Sequence, residues 1–452
     1  MSRNPCGHEK YIFHLYTVLE PDWILPIVPK NVLHAGYSLV MRGDRIEALL
    51  PREEARARHP EARFVSLPGH ILLPGFVNLH SHAAMNLVRG LGADLPLMDW
   101  LTTKIWPAEG KLMSPEFVEE GSWLAGLEML SGGITTTSDH YFFPLSAARG
   151  LRRAGLRAAV SAFIIGFPSA YAKSDDEYFE KMEDTIRAVR DEGDPLVTAT
   201  VAPHAPYTVS DDSLRRCAEI SERYRLPVHM HVHETAVEVS DSVRDHGVRP
   251  LARLDRLGLV NDRLIAVHGV HFNDEEIALL AERNCSMCHC PASNLKLASG
   301  FAPVVKLLKA GVNVGIGTDG AASNDKLDLL GDTRIAGMLA KAVAGDTTSA
   351  TVADMLEAAT LGGARALHLD HEIGSLEAGK AADLVAVDLS SVESLPVLDP
   401  AAQLLYASGR EHVTHVWVAG RLLVEKKATI RYDGADASEA VREAAKRWAA
   451  RL

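Results

Sequence analysis

The stretch Leu73-Pro-Gly-Phe-Val-Asn-Leu-His-Ser-His82 decides the fold. An apolar run ends in two histidines separated by one residue. Side chains at i and i+2 share one face of a strand, so His80 and His82 can aim two imidazoles at one point by a strand end. Imidazole is the commonest protein ligand for a zinc-class ion. A lone His-x-His pair carries little weight, because strand histidines are often half-buried polar residues. The weight comes from recurrence further along the chain.

Apolar strands alternate with helix-length amphipathic stretches after this point. Strands are expected near Ile71–His80, Ile134–His140, Ala158–Ile165, Leu196–His204, Pro227–His233, Leu264–His271, Cys285–Cys290 and Val312–Asp319. Between them lie helical patterns at Pro115–Leu130, Asp176–Val189, Asp211–Arg223 and Asp274–Glu282, with Ser210 placed as an N-cap. Strands that are apolar on both faces and alternate with helices predict an α/β fold, a (β/α)₈ TIM-type barrel. A doubly wound sheet is the rival on pattern, but no Gly-rich phosphate fingerprint follows any strand. The ends differ from the middle. Hairpin patterns around Gly43-Asp44 and Ala419-Gly420, with Ala382–Asp388, predict a small β-sandwich built from both termini. The expected division is 1–72 for the N-terminal part of the sandwich, 73–371 for the barrel, and 372–452 for the C-terminal part with a terminal helix.

Composition narrows the class. The chain has 452 residues and a formal net charge of -12, which disfavours binding to a phosphate backbone and so nucleic acid. No apolar stretch is long enough to span a bilayer, and the fairly apolar Tyr11–Val28 is broken by Glu20, Pro21, Asp22 and Pro26. No membrane association or signal peptide is expected. Five cysteines in a chain of this length do not form a disulfide framework. Cys285, Cys288 and Cys290 could suggest a metal site, but no second pair completes four ligands, and a buried strand is the better reading. Together these features point to a reduced, cytoplasmic protein.

In a barrel the chemistry sits at the C-terminal ends of the strands. There this chain carries His80 and His82 (strand one), His204 (strand four), His229, His231, His233 and Glu234 (strand five), His268 and His271 (strand six) and Asp319 (strand eight). A catalytic metal takes three or four protein ligands and leaves a position for water. His80, His82, one strand-five histidine and Asp319 supply such a set. Glu234, just past a strand end, is the candidate general acid/base.

The motifs Pro74-Gly-Phe-Val-Asn-Leu-His-Ser-His, His231-Val-His-Glu-Thr, Ala266-Val-His and Gly317-Thr-Asp-Gly resemble the amidohydrolase superfamily. More narrowly, the chain is similar to the 5-methylthioadenosine/S-adenosylhomocysteine deaminase group, near the s-triazine chlorohydrolases. Asp94-Leu-Pro-Leu-Met-Asp-Trp-Leu, Ile105-Trp-Pro-Ala-Glu, Pro203-His-Ala-Pro-Tyr-Thr-Val-Ser and Ser293-Asn-Leu-Lys-Leu-Ala-Ser-Gly extend the likeness from about Leu33 to Leu423. The resemblance implies His80, His82, His231 and Asp319 as metal ligands. It implies Glu234 as proton shuttle and purine contact, Asp319 also as base and substrate contact, and His268 as the group orienting the attack. Glu109 matches the glutamate that binds ribose hydroxyls, and His204 another nucleoside contact. His229 and His233 are then neighbours without an assigned role.

Strand four (Val197-Thr-Ala-Thr-Val-Ala-Pro-His) lacks the lysine that binuclear members carboxylate, so the resemblance implies one divalent ion per chain, zinc first, with iron(II) or manganese(II) as alternatives. Strand three (Ala158-Ala-Val-Ser-Ala-Phe-Ile-Ile-Gly-Phe-Pro) lacks an arginine that some nucleoside deaminases carry on the sugar side. The expected activity is hydrolytic deamination of an adenosine-type nucleoside: 5′-methylthioadenosine, S-adenosylhomocysteine or adenosine. Ring attack is shared with triazine hydrolysis and with free purine or guanine-type base deamination, and Glu109 separates these, since neither alternative offers a ribose diol. A scaffold that had lost catalysis should have lost ligands, and this chain keeps them. The partner is a small purine nucleoside; a homo-oligomer is allowed but not specified.

Overall fold

The computed structural model describes residues 15–426, 428–429 and 437–452. The first fourteen residues, on which the signal-peptide expectation rests and which include Cys6, lie outside the described residues.

Eight parallel strands form one sheet in chain order: β1 (Phe76–Ser81), β2 (Ile134–Asp139), β3 (Arg157–Ile164), β4 (Val197–Pro203), β5 (Val228–Val232), β6 (Leu264–His268), β7 (Ser286–His289) and β8 (Asn313–Ile316). β1, β2, β3 and β5 are buried at every position, as strands covered on both faces must be. Helices lie between them where the sequence placed them, for instance Pro115–Ser131, Asp211–Tyr224 and Asp274–Glu282. The Ser210 hydroxyl accepts the Ser213 N–H and starts the second of these.

The seam between β8 and β1 is closed by side-chain hydrogen bonds. The Asn78 amide donates to Thr318 Oγ1 at 2.8 Å and accepts the Thr318 N–H at 2.9 Å, while the Asp319 N–H donates to the His80 carbonyl at 3.0 Å. The seam therefore ties two expected ligand segments together.

One boundary differs from the expectation. The apolar run that reads as a single strand from Ile71 to His80 is divided at Gly75. Its first part ends a strand of a different sheet, Arg63–Pro74, and its second part is β1. The chain crosses between the sheets where Gly75 N–H donates to Asp383 O at 2.9 Å, and a Cβ there would lie 2.2 Å from Thr135 Oγ1. Only glycine permits that approach.

The second sheet has nine strands from both termini. Arg63–Pro74 is its keystone. It pairs parallel with Tyr16–Ile24 from before the barrel and antiparallel with Leu384–Asp388 from after it. Hydrogen bonding runs continuously from one half to the other, so both termini build the expected β-domain as one mixed sheet, whose Leu19, Leu39, Leu72, Leu384 and Trp417 share a core. The two expected hairpin turns abut, with Gly420 so close that a Cβ would sit 2.3 Å from the Gly43 carbonyl oxygen. A buried ion pair, Arg157 Nε to Asp383 Oδ2 at 3.0 Å, joins this sheet to β3. The terminal helix Ala437–Ala449 leaves the sheet and docks on the barrel helix Pro115–Ser131. There Trp448 is buried against Phe117 and donates its indole N–H to Glu120 at 2.6 Å.

Among the described residues no helix is long and apolar enough to cross a membrane. Cys217, Cys285, Cys288 and Cys290 are free and buried.

Candidate active site

The barrel brings together residues from five strand ends. His80 and His82 sit at the end of β1. Asp319 lies on the turn after β8 at φ +62°, a left-handed conformation rare for aspartate. That turn is held by Gly320 N–H to Asp319 Oδ1 at 2.7 Å and Ser293 Oγ–H to Oδ2 at 2.6 Å. His80 Nε2 is 3.4 Å and His82 Nε2 3.2 Å from Asp319 Oδ1, and His231 Nε2 from β5 is 3.2 Å from His80 Nε2. Donors bound at about 2.0–2.1 Å in a tetrahedral shell stand about 3.3 Å apart, so these separations are those of ligands around one ion. His80 is the shared vertex of two triads, His80–His82–Asp319 and His80–His231–His268, each with its donor atoms within 4.8 Å of one another.

The other ring nitrogens fix the tautomers. His82 Nδ1–H donates to the His140 carbonyl at 2.6 Å and His231 Nδ1–H to the His204 carbonyl at 2.8 Å. A carbonyl can only accept, so both Nε2 atoms carry lone pairs toward the centre. His80 Nδ1 meets His229 Nε2 at 2.9 Å, and His229 Nδ1 meets Ser138 Oγ at 3.1 Å, so His229 and Ser138 hold the His80 ring in place from behind. Burial pushes His80 down to about 4 and His231 well below the ordinary histidine value, so both rings are neutral. Three imidazoles and a carboxylate converging in this way fit a divalent cation of the zinc class, with backbone and histidine partners orienting each ligand.

Above this cluster opens a cleft of about 790 Å³, counting its mouth. Glu234 and His268 line it on one side. His268 Nδ1 is pinned to Asn294 Oδ1 at 2.9 Å, which leaves Nε2 3.9 Å from Glu234 Oε2. Burial raises the Glu234 carboxyl, although His268 opposes this. Glu109 and Tyr141 form another part of the wall. The Tyr141 hydroxyl donates to Glu109 Oε1 at 2.6 Å, and burial pushes Glu109 up to about 7. His204, with Nδ1 on Thr208 Oγ1 at 2.9 Å, lines the cleft as well. Most of the remaining wall is apolar, with Leu97, Trp100, Ile105, Trp106, Phe163, Ile165 and Phe167, beside Tyr207 and Ser323. Among the described residues no lysine or arginine lines it.

The sequence pattern of the amidohydrolase family matches residues 71–423. The chain belongs to the amidohydrolase family. Among curated relatives, a 5-methylthioadenosine/S-adenosylhomocysteine deaminase of Teredinibacter turnerae is 42% identical over 90% of this chain and 92% of its own length. An adenosine deaminase of Xanthomonas campestris, solved with bound zinc, is 49% identical with a TM-score of 0.93, covering 96% of this chain and 98% of that one. An atrazine chlorohydrolase of Arthrobacter aurescens, solved as a mutant with zinc and atraton, superposes with a TM-score of 0.85 at 25% identity over 96% of this chain and 99% of that one.

All the site residues expected from sequence are therefore gathered at one rim of this amidohydrolase. The structure adds four that were given no role. His229 backs His80. His140, at the end of β2, supplies the carbonyl for His82, and its own buried ring lines the cleft with both nitrogens unpartnered. Ser293 and Asn294 hold Asp319 and His268. His233 faces away, with Nε2 accepting the Leu251 N–H at 3.1 Å. Its strand spacing equals that of His229 and His231, so spacing could not separate the three. For His140 the available signal was its strand-end position, and for Ser293 and Asn294 the Ser293–Gly300 motif.

Proposed function

We propose that this amidohydrolase is a metal-dependent aminohydrolase that replaces the 6-amino group of an adenosine-type nucleoside with oxygen and releases ammonia. His80, His82, His231 and Asp319 hold one divalent ion, zinc by the character of the donors. That ion supplies Lewis-acid activation of water. The residues do the rest. Asp319, beside His80 and His82, takes the proton of the attacking water as the C6–O bond forms. Glu234, with its carboxyl raised by burial, protonates the adjacent ring nitrogen; as the C6–N bond breaks, Asp319 hands the proton it took to the departing amine, and the hydroxyl proton of the tetrahedral adduct returns to Glu234. His268, with its ring fixed by Asn294, presents Nε2 to the attacked centre. His204 contacts the nucleoside.

The observation that carries the nucleoside reading is Glu109. It is a carboxylate set in a largely apolar wall, with one oxygen held by Tyr141, in the same cleft as Glu234 and the ligand cluster. A carboxylate accepting two vicinal hydroxyls suits a ribose. Trp106 lies one helical turn before Glu109 and stands 5.8 Å, ring to ring, from Phe167 at the mouth. A 5′-substituent leaving the ribose meets this apolar edge and finds no cation there. The favoured substrates are 5′-methylthioadenosine and adenosine, ahead of S-adenosylhomocysteine, whose carboxylate would be left unpaired.

The test is ammonia release by zinc-loaded enzyme from a panel of nucleosides, free purines and triazines. Turnover confined to free bases or triazines would replace this reading with one in which Glu109 binds no sugar.

A further inference from the structure

We infer that Glu238 is a positioning residue that fixes Glu234 in the cleft, an inference that rests on Glu234 as the group that moves protons. β5 ends at Val232, and the chain must turn sharply to bring Glu234 over the ligand cluster. The turn is made at His233, whose φ of +57° lies in the left-handed region, uncommon for a residue with a side chain. The group that holds it is Glu238. Its Oε1 accepts the His233 N–H at 2.9 Å, and its Oε2 accepts the Glu234 N–H at 2.8 Å. One buried carboxylate thus grips two successive backbone N–H groups on either side of the peptide that delivers Glu234.

This differs from an ordinary helix cap. Glu238 is the third residue of the helix Ala236–His246, whose N-cap Thr235 accepts the Glu238 N–H at 3.1 Å. In a capping box the third-residue glutamate reaches back to the N–H of the N-cap itself. Here it passes over Thr235 and binds the two residues before it. The other side of the turn is fixed independently. The His271 N–H donates to the His233 carbonyl at 3.1 Å, and the His233 ring accepts the Leu251 N–H. Glu238 does not line the cleft, so it touches no substrate; it acts on Glu234 through the two backbone N–H groups it holds and through the repulsion between two neighbouring buried carboxyls. Misplacing a proton donor by about 1 Å is enough to slow a reaction on the order of 10²-fold.

The experiment is a double-mutant cycle on zinc-loaded enzyme with its best nucleoside: Glu238→Gln, Glu234→Gln and the two combined. Glu238→Gln keeps the shape but offers one acceptor and turns an N–H₂ toward the second backbone N–H. The expected result is a kcat at least tenfold lower with KM changed less than twofold, unchanged zinc content, and faster amide exchange at His233 and Glu234. The combined variant should be no slower than Glu234→Gln alone. Losses that multiply in the combined variant, or a Glu238→Gln enzyme with parental kcat, would overturn the assignment. If Glu238→Gln does not fold, Glu238→Asp serves in the same cycle, since it keeps the charge but is too short to reach both N–H groups. A Glu234→Gln enzyme with near-parental turnover would instead contradict Glu234 as the proton shuttle, so the two failures are distinct.

Discussion

The Nε2 atoms of His80 and His231 face each other across 3.2 Å, and the hydrogen bond from His231 Nδ1 to the His204 carbonyl leaves the His231 Nε2 bare. Two neutral imidazoles held this way are poorly matched to each other and well matched to a cation between them. The arrangement is set from outside the cluster, by carbonyls, by His229 and by the β8–β1 seam. Ligands held in place by such partners lose little freedom on binding an ion, which is what a site of high affinity requires.

Metal binding should accordingly stabilise the fold. Zinc added to the chelated protein should raise Tm, with one ion bound per chain, and turnover should return in proportion to occupancy. His80→Ala should lose both effects, because His80 belongs to both triads. Two tightly bound ions per chain, or parental zinc content in His80→Ala, would contradict the assignment.

Glu234→Gln should lower kcat by roughly 10²-fold or more, the scale of general acid–base loss, with zinc retained. Near-parental kcat would mean that another group carries the protons.

Glu109 makes a pH prediction. Its carboxyl is raised to about 7, so it is protonated below that pH and charged above it. Only the charged form accepts both ribose hydroxyls. The ratio of kcat/KM for adenosine to that for free adenine should therefore climb as pH rises through about 7, and the climb should vanish in Glu109→Gln. That variant should also cost nucleosides at least about tenfold in kcat/KM, the value of one hydrogen bond to a charged acceptor. An equal loss for nucleoside and free base would remove Glu109 from sugar binding.

The apolar 5′ edge makes a specificity prediction. Placing an amino-acid carboxylate against Trp106 and Phe167 without a partner should depress kcat/KM for S-adenosylhomocysteine at least about 10²-fold relative to 5′-methylthioadenosine. Comparable values for the two would show that a cation reaches the mouth.

Arg157 tests how the two sheets are joined. Its guanidinium and the Asp383 carboxylate are both almost fully buried, 3% and 2% exposed. Arg157→Met leaves Asp383 charged and without this partner, and should reduce unfolding free energy by about 3–5 kcal/mol. A loss under about 1 kcal/mol, read by denaturant titration, would mean that the sheets hold together without the pair.

Much of this was legible in the chain, for physical reasons. Most strands buried on both faces are rich in apolar residues and stood out, whereas Ile134–Asp139 is buried throughout with a Thr-Thr-Thr-Ser-Asp run and was marked by its β-branched residues and its place in the alternation with helices. A helix with a polar cap declared its start, as at Ser210. The cut at Gly75 was hidden because the run Ile71–His80 is apolar on both sides of it, and only the approach of Thr135 shows why a glycine stands there. Glu109 could be read as a loop carboxylate because Pro107 interrupts the helical pattern. In the fold Pro107 sits in the first turn of the helix Trp106–Leu112, where it needs no N–H partner. The backing role of His229 depends on depth within the barrel, which alternation along one strand does not encode.

The most direct measurement is the conversion of 5′-methylthioadenosine to its 6-oxo product by the zinc-loaded protein, followed by ultraviolet absorbance and by ammonia release. The account predicts stoichiometric product and ammonia, loss of activity on chelation, and recovery with one zinc per chain. Saturating zinc with no turnover of 5′-methylthioadenosine or adenosine, alongside turnover of a free base or a triazine, would contradict it.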